Sequence, residues 1–395
     1  AFVLERRFGL GRGFAVYDDE TVPTGFPGGM AERRGDATTE RAIEWLRKPR
    51  DRPFFLWVHY YDPHADYAPP PPFDTRYDHP YDGEIAFVDD QIGRLLEAVR
   101  ASNDHGEVVV VTADHAEAFG EHGEWSHGFL VQEATLRIPL ILYASRGLPR
   151  SVHVTSRASQ VDLVPTLLAG LGIPVPPGLD GADLARLPQG DRAVLAEAAE
   201  GRARYGWARL GVIYRGSLKY VAGPIPELYD LAEDPLERDN VVAQRAGEAE
   251  RLARQLASLE AGGGDVLDPG GVALDPDDLQ RLQALGYALG AGTEPAPARA
   301  DAPDPKQMMP VMVRIQSLVT DFGIDPELPL WRRLAAWLNG RPFIASRADL
   351  IRAFEELAAE HPDYGPAWDY LAGLYREEGR LEDAGEAQRR ADAAR

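Results

Sequence analysis

The chain has 395 residues, with 42 Lys and Arg against 63 Asp and Glu and a formal net charge of -21. So acidic a balance argues against nucleic acid or an anionic membrane surface as the main partner, because both call for clustered positive charge. There is no cysteine, which excludes disulfides, zinc–thiolate centres and cysteine nucleophiles, and no run of about 18 apolar residues that would predict a membrane span. At 44% hydrophobic and 27% charged, the composition is that of a globular protein able to bury a core, and its length predicts two or three domains.

In chain order, Pro53–Val58 is a short apolar run that predicts a strand ending in a polar cluster. Ile85, Val88, Ile92, Leu95, Leu96 and Val99 recur at helical spacing. Val108–Thr112 and Ile138–Tyr143 are β-branched runs without polar alternation, which predicts strands buried on both faces of a parallel sheet. Val161, Val164, Leu167, Leu168 and Leu171 predict a helix closed by Gly172. Residues 193–242 hold shorter runs with aromatics and turn residues between them, expected to form a small antiparallel sheet. A helix is expected at about 243–260, then a break at Gly262–Gly264 and a short helix after Pro276.

Residues 291–305 are rich in Ala, Pro and acid, the composition of an extended linker. Beyond it Trp368, Leu371, Ala372, Tyr375 and Ala384 fall in a tetratricopeptide-like register, with Phe354 and Pro362 one period earlier. The expected organisation is an α/β domain over 1–192, a small α+β subdomain over 193–290, the linker over 291–305 and a helical region over 306–395. Few contacts are expected across the linker, so the helical region should be a separable unit.

Two stretches carry chemistry. In the first, the valine run leads straight into Asp114-His115, where the carboxyl end of a strand commonly presents ligand-binding groups. Hard carboxylate oxygen beside imidazole nitrogen suits a divalent cation such as zinc or manganese; a capped turn with a satisfied histidine is the plainer alternative. Twelve residues on, His127 lies within reach if the loop folds back, while Glu117, Glu121, His122 and Glu124 fit a solvated charged loop. In the second, Trp57–His64 ends a strand-like run in His59 and His64, and a histidine held after Pro63 could donate to a leaving-group oxygen.

These residues also resemble the sulfatases of the alkaline phosphatase superfamily. The resemblance rests on PFFLWVHYYDPHADYAPPPPF, YDGEIAFVDDQIGRLLEAV, VVVVTADHAEAFGEHGEWSHG, LRIPLIL, SQVDLVPTLLAGLGIPVPPGLDG and PELYDLAEDPLERDN, in that order. It implies an alkaline-phosphatase-like mixed sheet flanked by helices, with a small antiparallel sheet and an all-α tail. It implies hydrolysis of a sulfate or phosphate ester, free or on a glycan or lipid, with a divalent metal (Zn, Mn or Ca).

Residue by residue, the resemblance implies that Asp114 and His115 are metal ligands. It implies that His64 contacts the transferred group, that His127 lies near the leaving group, and that His59 contributes to binding. Sulfatases commonly place Asn and calcium where His115 stands, so the Asp-His pair looks more like phosphodiesterase or phospho-transferring relatives. Ala116 stands where the family usually has glycine and would be strained at positive φ.

In this family the nucleophile and the first acidic ligands come from an N-terminal segment that has no match before residue 53. The chain also begins at Ala1, so it is expected to be a fragment whose nucleophile lies outside it. An extracytoplasmic or periplasmic location follows from the resemblance, and a protein partner on the helical repeats, or a non-catalytic platform, is the alternative reading.

Overall fold

The computed structural model describes residues 4–21, 32–65, 67–102, 106–145, 156–186, 192–261, 302–323 and 346–394. The expected breaks and helix at Gly262–Gly264 and Pro276, and most of the 291–305 linker, lie outside these residues. The chain divides into two compact units, one of Ala1–Thr112, Pro139–Val152 and Asp268–Ala273, the other of Ala113–Ile138, His153–Leu267 and Leu274–Arg395.

In the first unit, α1 (Gly35–Leu46) packs on α2 (Pro80–Ser102) through Thr39, Ala42, Leu46, Phe87 and Gln91, all buried. Helix α1 begins where Asp62 Oδ2 accepts the Gly35 N–H at 2.7 Å, which satisfies one of the free donors of its first turn. Pro80 opens α2 with a pre-set φ and no orphaned N–H, and the expected apolar spacing lies within it. Strands β1 (Val108–Thr112) and β2 (Leu140–Ala144) pair antiparallel, Val110 opposite Leu142.

Two expectations fail here. The composition of the valine run predicts a parallel sheet, yet among the described residues β2 is its partner, runs antiparallel to it, and leaves it half-buried. Pro53–Val58 is extended but pairs with no strand among the described residues, with Phe55 and Trp57 exposed. Apolar β-branched composition specifies extended backbone that favours cover; it does not specify the neighbour or its direction.

The second unit is built around a four-stranded antiparallel meander. Its strands are β3 (Ala193–Ala198), β4 (Leu210–Arg215), β5 (Leu218–Ala222) and β6 (Glu227–Asp230), in sequence order, and the short helices α3 (Glu133–Leu136) and α5 (Glu200–Tyr205) belong to the same unit. Alternation along each strand sends residues to opposite faces. Ile213, Leu218, Tyr220 and Leu228 meet Ala249, Leu252 and Leu256 of α6 (Ala246–Ala261). On the other face Val212, Tyr214, Val221 and Tyr229 join Phe129, Leu130 and Val131 and the C-terminal helices in one core.

Those helices are α7 (Pro305–Gly323), α8 (Arg347–Glu360), α9 (Gly365–Glu377) and α10 (Leu381–Ala394). Met309, Phe354, Leu357, Leu371 and Ala372 are buried in the same core, and Tyr364 stacks on Trp207 at 5.8 Å. Ala208 N donates to Pro303 O and Ile225 N to Asp304 Oδ2, both at 2.9 Å. The helical region is therefore not separated by few contacts, as its linker-like approach suggested; it supplies one layer of the sheet's core. Among the described residues no helix is long and apolar enough to cross a membrane.

The two helical turns that precede the sheet are fixed by one carboxylate. Asp162, fully buried, accepts from Ser159 N, Ala182 N and both terminal nitrogens of Arg192. Helix α4 (Leu163–Gly170) follows, then Gly172 in the left-handed region at φ 70, as its position predicted. Next to this hub, a Cβ on Gly181 would sit 1.9 Å from Val161 O. Gly181→Ala is therefore expected to destabilise the chain by about 1–3 kcal/mol, read as a lowered urea midpoint. An unchanged midpoint would show that this close approach is not held.

Candidate functional site

In the first unit, the segment after Pro53 ends at an exposed His59 and a half-buried His64. His64 N donates to Glu84 Oε2 at 3.0 Å and Ala68 N to Glu84 Oε1 at 2.7 Å, so one carboxylate from α2 ties both ends of the turn. Burial raises the Glu84 pKa, the two amide donors opposing it; burial likewise raises that of Asp62 against the pull of Gly35 N–H. The His64 ring lies on Tyr61, centroids 4.2 Å apart. Its Nδ1 is 2.6 Å from Ala65 O and its Nε2 3.1 Å from Tyr61 Oη. A proton on Nδ1 satisfies both contacts, with the tyrosine hydroxyl donating to Nε2. Proton donation by His64 thus requires Tyr61 to release it.

In the second unit, the loop after β1 does fold back. The rings of His115 and His127 stack with centroids 3.7 Å apart. Ala116 N donates to Thr135 O at 2.9 Å and Ala118 N to Ser126 O at 3.0 Å, which closes the loop on itself. Among the described residues the non-glycine positions at positive φ are His122 and Glu237, so Ala116 carries no such strain. Asp114 is exposed, its Oδ2 3.9 Å from His115 Nε2. His115 Nδ1 lies 2.9 Å from Ala116 O, which places the proton there and leaves Nε2 with its lone pair.

Glu117 and Glu124 are not the solvated groups that the sequence suggested. Glu117 Oε1 accepts from His127 Nδ1 at 3.0 Å, and Glu124 is buried, its Oε1 accepting from Phe129 N at 2.9 Å and Leu130 N at 3.2 Å. Burial lowers the His127 pKa, but the Glu117 bond and the charges of Glu117, Glu200 and Glu124 outweigh it, and the net shift is upward. Burial raises that of Glu124 against its two amide bonds. The clue to Glu117 is its place between Ala116 and the buried Ala118. The clue to Glu124 is the apolar run Phe129–Val131, whose amides need an acceptor.

Among the described residues no three His, Asp or Glu side chains converge as a set able to hold a metal ion. The Asp114–His115 pair nonetheless fits a share of such a site: one oxygen and one lone-pair nitrogen close enough to face a single cation, with the second ring nitrogen tied to main chain. His59 and His64 belong to the first unit, and Asp114, His115 and His127 to the second.

Residues 7–173 match the Sulfatase family model. The uncharacterized sulfatase YidJ of Escherichia coli (strain K12) is 28% identical over 252 residues, 52% of this chain and 50% of that protein. Mouse (Mus musculus) iduronate 2-sulfatase is 30% identical over 137 residues, 28% of this chain and 25% of that enzyme. The crystal structure of yidJ from Bacteroides fragilis superposes with a TM-score of 0.52 at 21% identity, covering 58% of this chain and 59% of that one. The chain spans half or less of the length of these two curated relatives. Residues 7–173 and these relatives make this part of the chain similar to sulfatases, and the Bacteroides fragilis structure shares its mixed α/β fold.

Proposed function

We propose that this chain is a sulfatase-like hydrolase of sulfate or phosphate esters in which Asp114 and His115 ligate a divalent metal. The observation that carries the proposal is the stacked, loop-closed His115–His127 pair at the end of β1, within the segment that matches the family model. A cation bound there would stabilise charge on the transferred group. Asp114 Oδ and His115 Nε2 would hold it, the latter oriented by the Ala116 carbonyl. His127, its Nδ1 tied to Glu117, keeps Nε2 for proton exchange with a leaving oxygen. His64 would contact the transferred group once Tyr61 moves, with His59 beside it in sequence. No residue of this chain is assigned as nucleophile.

A sulfated sugar is the substrate class suggested by the name of iduronate 2-sulfatase, and a phosphate ester is favoured instead by His115, which offers nitrogen where sulfatases commonly have amide oxygen. The tetratricopeptide-like register of the tail belongs to the same proposal, supported by the burial of Leu371, Ala372, Tyr375 and Ala384.

Titration calorimetry of the 395-residue chain with Zn2+, Mn2+ and Ca2+ tests the ligand assignment. Asp114→Ala and His115→Ala are each expected to weaken binding of the preferred ion by about tenfold or more, because each removes a direct donor. Equal affinity in both variants and the parent would remove Asp114 and His115 as ligands.

A further inference from the structure

Lys219 lies at the centre of the sheet face that meets Phe129–Val131 and has no exposed surface. A hydrophobic side chain of like volume would serve that core at least as well, since burying a charge demands compensating partners. Its partners are all aimed at one stretch of the candidate-site loop. The ammonium donates to Val131 O, pairs with Glu133 Oε1 at 3.5 Å and meets Glu237 Oε1 at 2.6 Å. Glu237 Oε2 in turn accepts from Glu133 N at 2.6 Å. Tyr214, paired with Lys219 across the strands, donates its hydroxyl to Glu133 Oε1 at 2.6 Å. Burial and then the Glu133 charge hold that hydroxyl protonated far beyond its ordinary range. Glu237 sits at φ 54, a left-handed conformation that disfavours any side chain, yet its carboxylate is buried between Lys219 and the loop.

From this clamp two hydrogen bonds lead to the site. Thr135 O, two residues beyond Glu133, accepts from Ala116 N, and Ala116 O accepts from His115 Nδ1. We propose that Lys219 and Glu237 are positioning residues that set the place of His115, and with it the His115–His127 stack, by clamping Val131–Glu133. The functional meaning of the clamp rests on the reading of that loop as the hydrolase site.

The test uses the full chain by NMR at one pH, following the Ala116 and Ala118 amides and the imidazole nitrogens of His115 and His127. K219M/E237Q removes the buried ammonium and the buried Glu237 carboxylate together, while Glu133 keeps the hydrogen bond from Tyr214. Its Ala116 amide is expected to exchange about tenfold or more faster, and the His115 Nδ1–H signature to be lost, while the Val212 and Ile213 amides stay protected. Ile213→Val, on the opposite sheet face, is expected to lower stability without changing either imidazole. If K219M/E237Q does not fold, E237Q alone is read in the same way. Wild-type imidazole signals with a protected Ala116 in the folded variant would overturn the clamp. Asp114→Ala with undiminished zinc affinity would instead overturn the metal reading, and would leave the exchange result standing.

Discussion

Trp207→Ala is expected to lower stability by about 3–5 kcal/mol and to melt the sheet and the C-terminal helices in one transition. Trp207 is 1% exposed and packs against Tyr205 at 4.9 Å, Phe129 at 5.7 Å and Tyr364 at 5.8 Å. It thus touches the site loop, the strand-to-strand connection and the tail at once. Gly201 makes room for it, since a Cβ there would meet the indole at 2.6 Å. Trp207→Phe keeps most of the apolar contact and removes an indole N–H that has no hydrogen-bond partner among the described residues, so its cost should be under about 1.5 kcal/mol. Thermal denaturation followed by circular dichroism, with exchange of tail and sheet amides read separately, checks the coupling. Tail helices that keep their parent melting temperature in Trp207→Ala would restore a separable tail.

The second large effect centres on Asp162. Its carboxylate is fully buried and accepts four hydrogen bonds, so Asp162→Ala leaves Arg192 and two amides without their acceptor. Arg192 retains some access to water, which places the expected loss near ~3 kcal/mol, the low end for breaking a buried pair. Burial by itself would raise the Asp162 pKa; the Arg192 pair and the Ala182 and Ser159 amides outweigh it, and the net shift is downward. A depressed folded pKa contributes stability that is complete above the ordinary carboxyl value of about 4 and is lost as pH falls through the lower, folded value. Urea midpoints of parent and Asp162→Ala should therefore differ at pH 7 and begin to converge only as pH falls below about 4. A gap that persists unchanged at low pH would assign the loss to packing rather than to the ion pair.

Local chemistry made several parts of this molecule readable. Helix α2 follows from its apolar spacing, α4 from spacing plus a glycine able to turn left-handed, and the meander from short runs set between turn residues. The close approach of His127 to His115 follows from loop length, although spacing alone carries no metal. What stayed hidden depends on partners distant in sequence. Glu117 and Glu124 look like ordinary surface acids until His127 and the Phe129 and Leu130 amides come to them. Nothing in the sequence around Lys219 announces Glu133 or Glu237 as its partners. Tyr61 holds His64 through a contact three residues long, but no pattern distinguishes it from a simple loop tyrosine. The tail misled for a related reason: linker composition reports the chain's local stiffness and not what the helices beyond it cover.

The sheet that is buried on both faces also bears on how the polypeptide is made. One face closes early, because α6 follows β6 directly and brings Leu252 and Leu256 onto Ile213 and Leu228. The other face, with Val212, Tyr214, Val221 and Tyr229, receives Phe354 and Leu371 only after more than a hundred further residues have left the ribosome. At ~5–20 residues per second that interval is on the order of ten seconds. For that time part of an apolar, aromatic surface lacks its helical cover, a natural target for nascent-chain chaperones and a point at which premature termination would yield an aggregation-prone product.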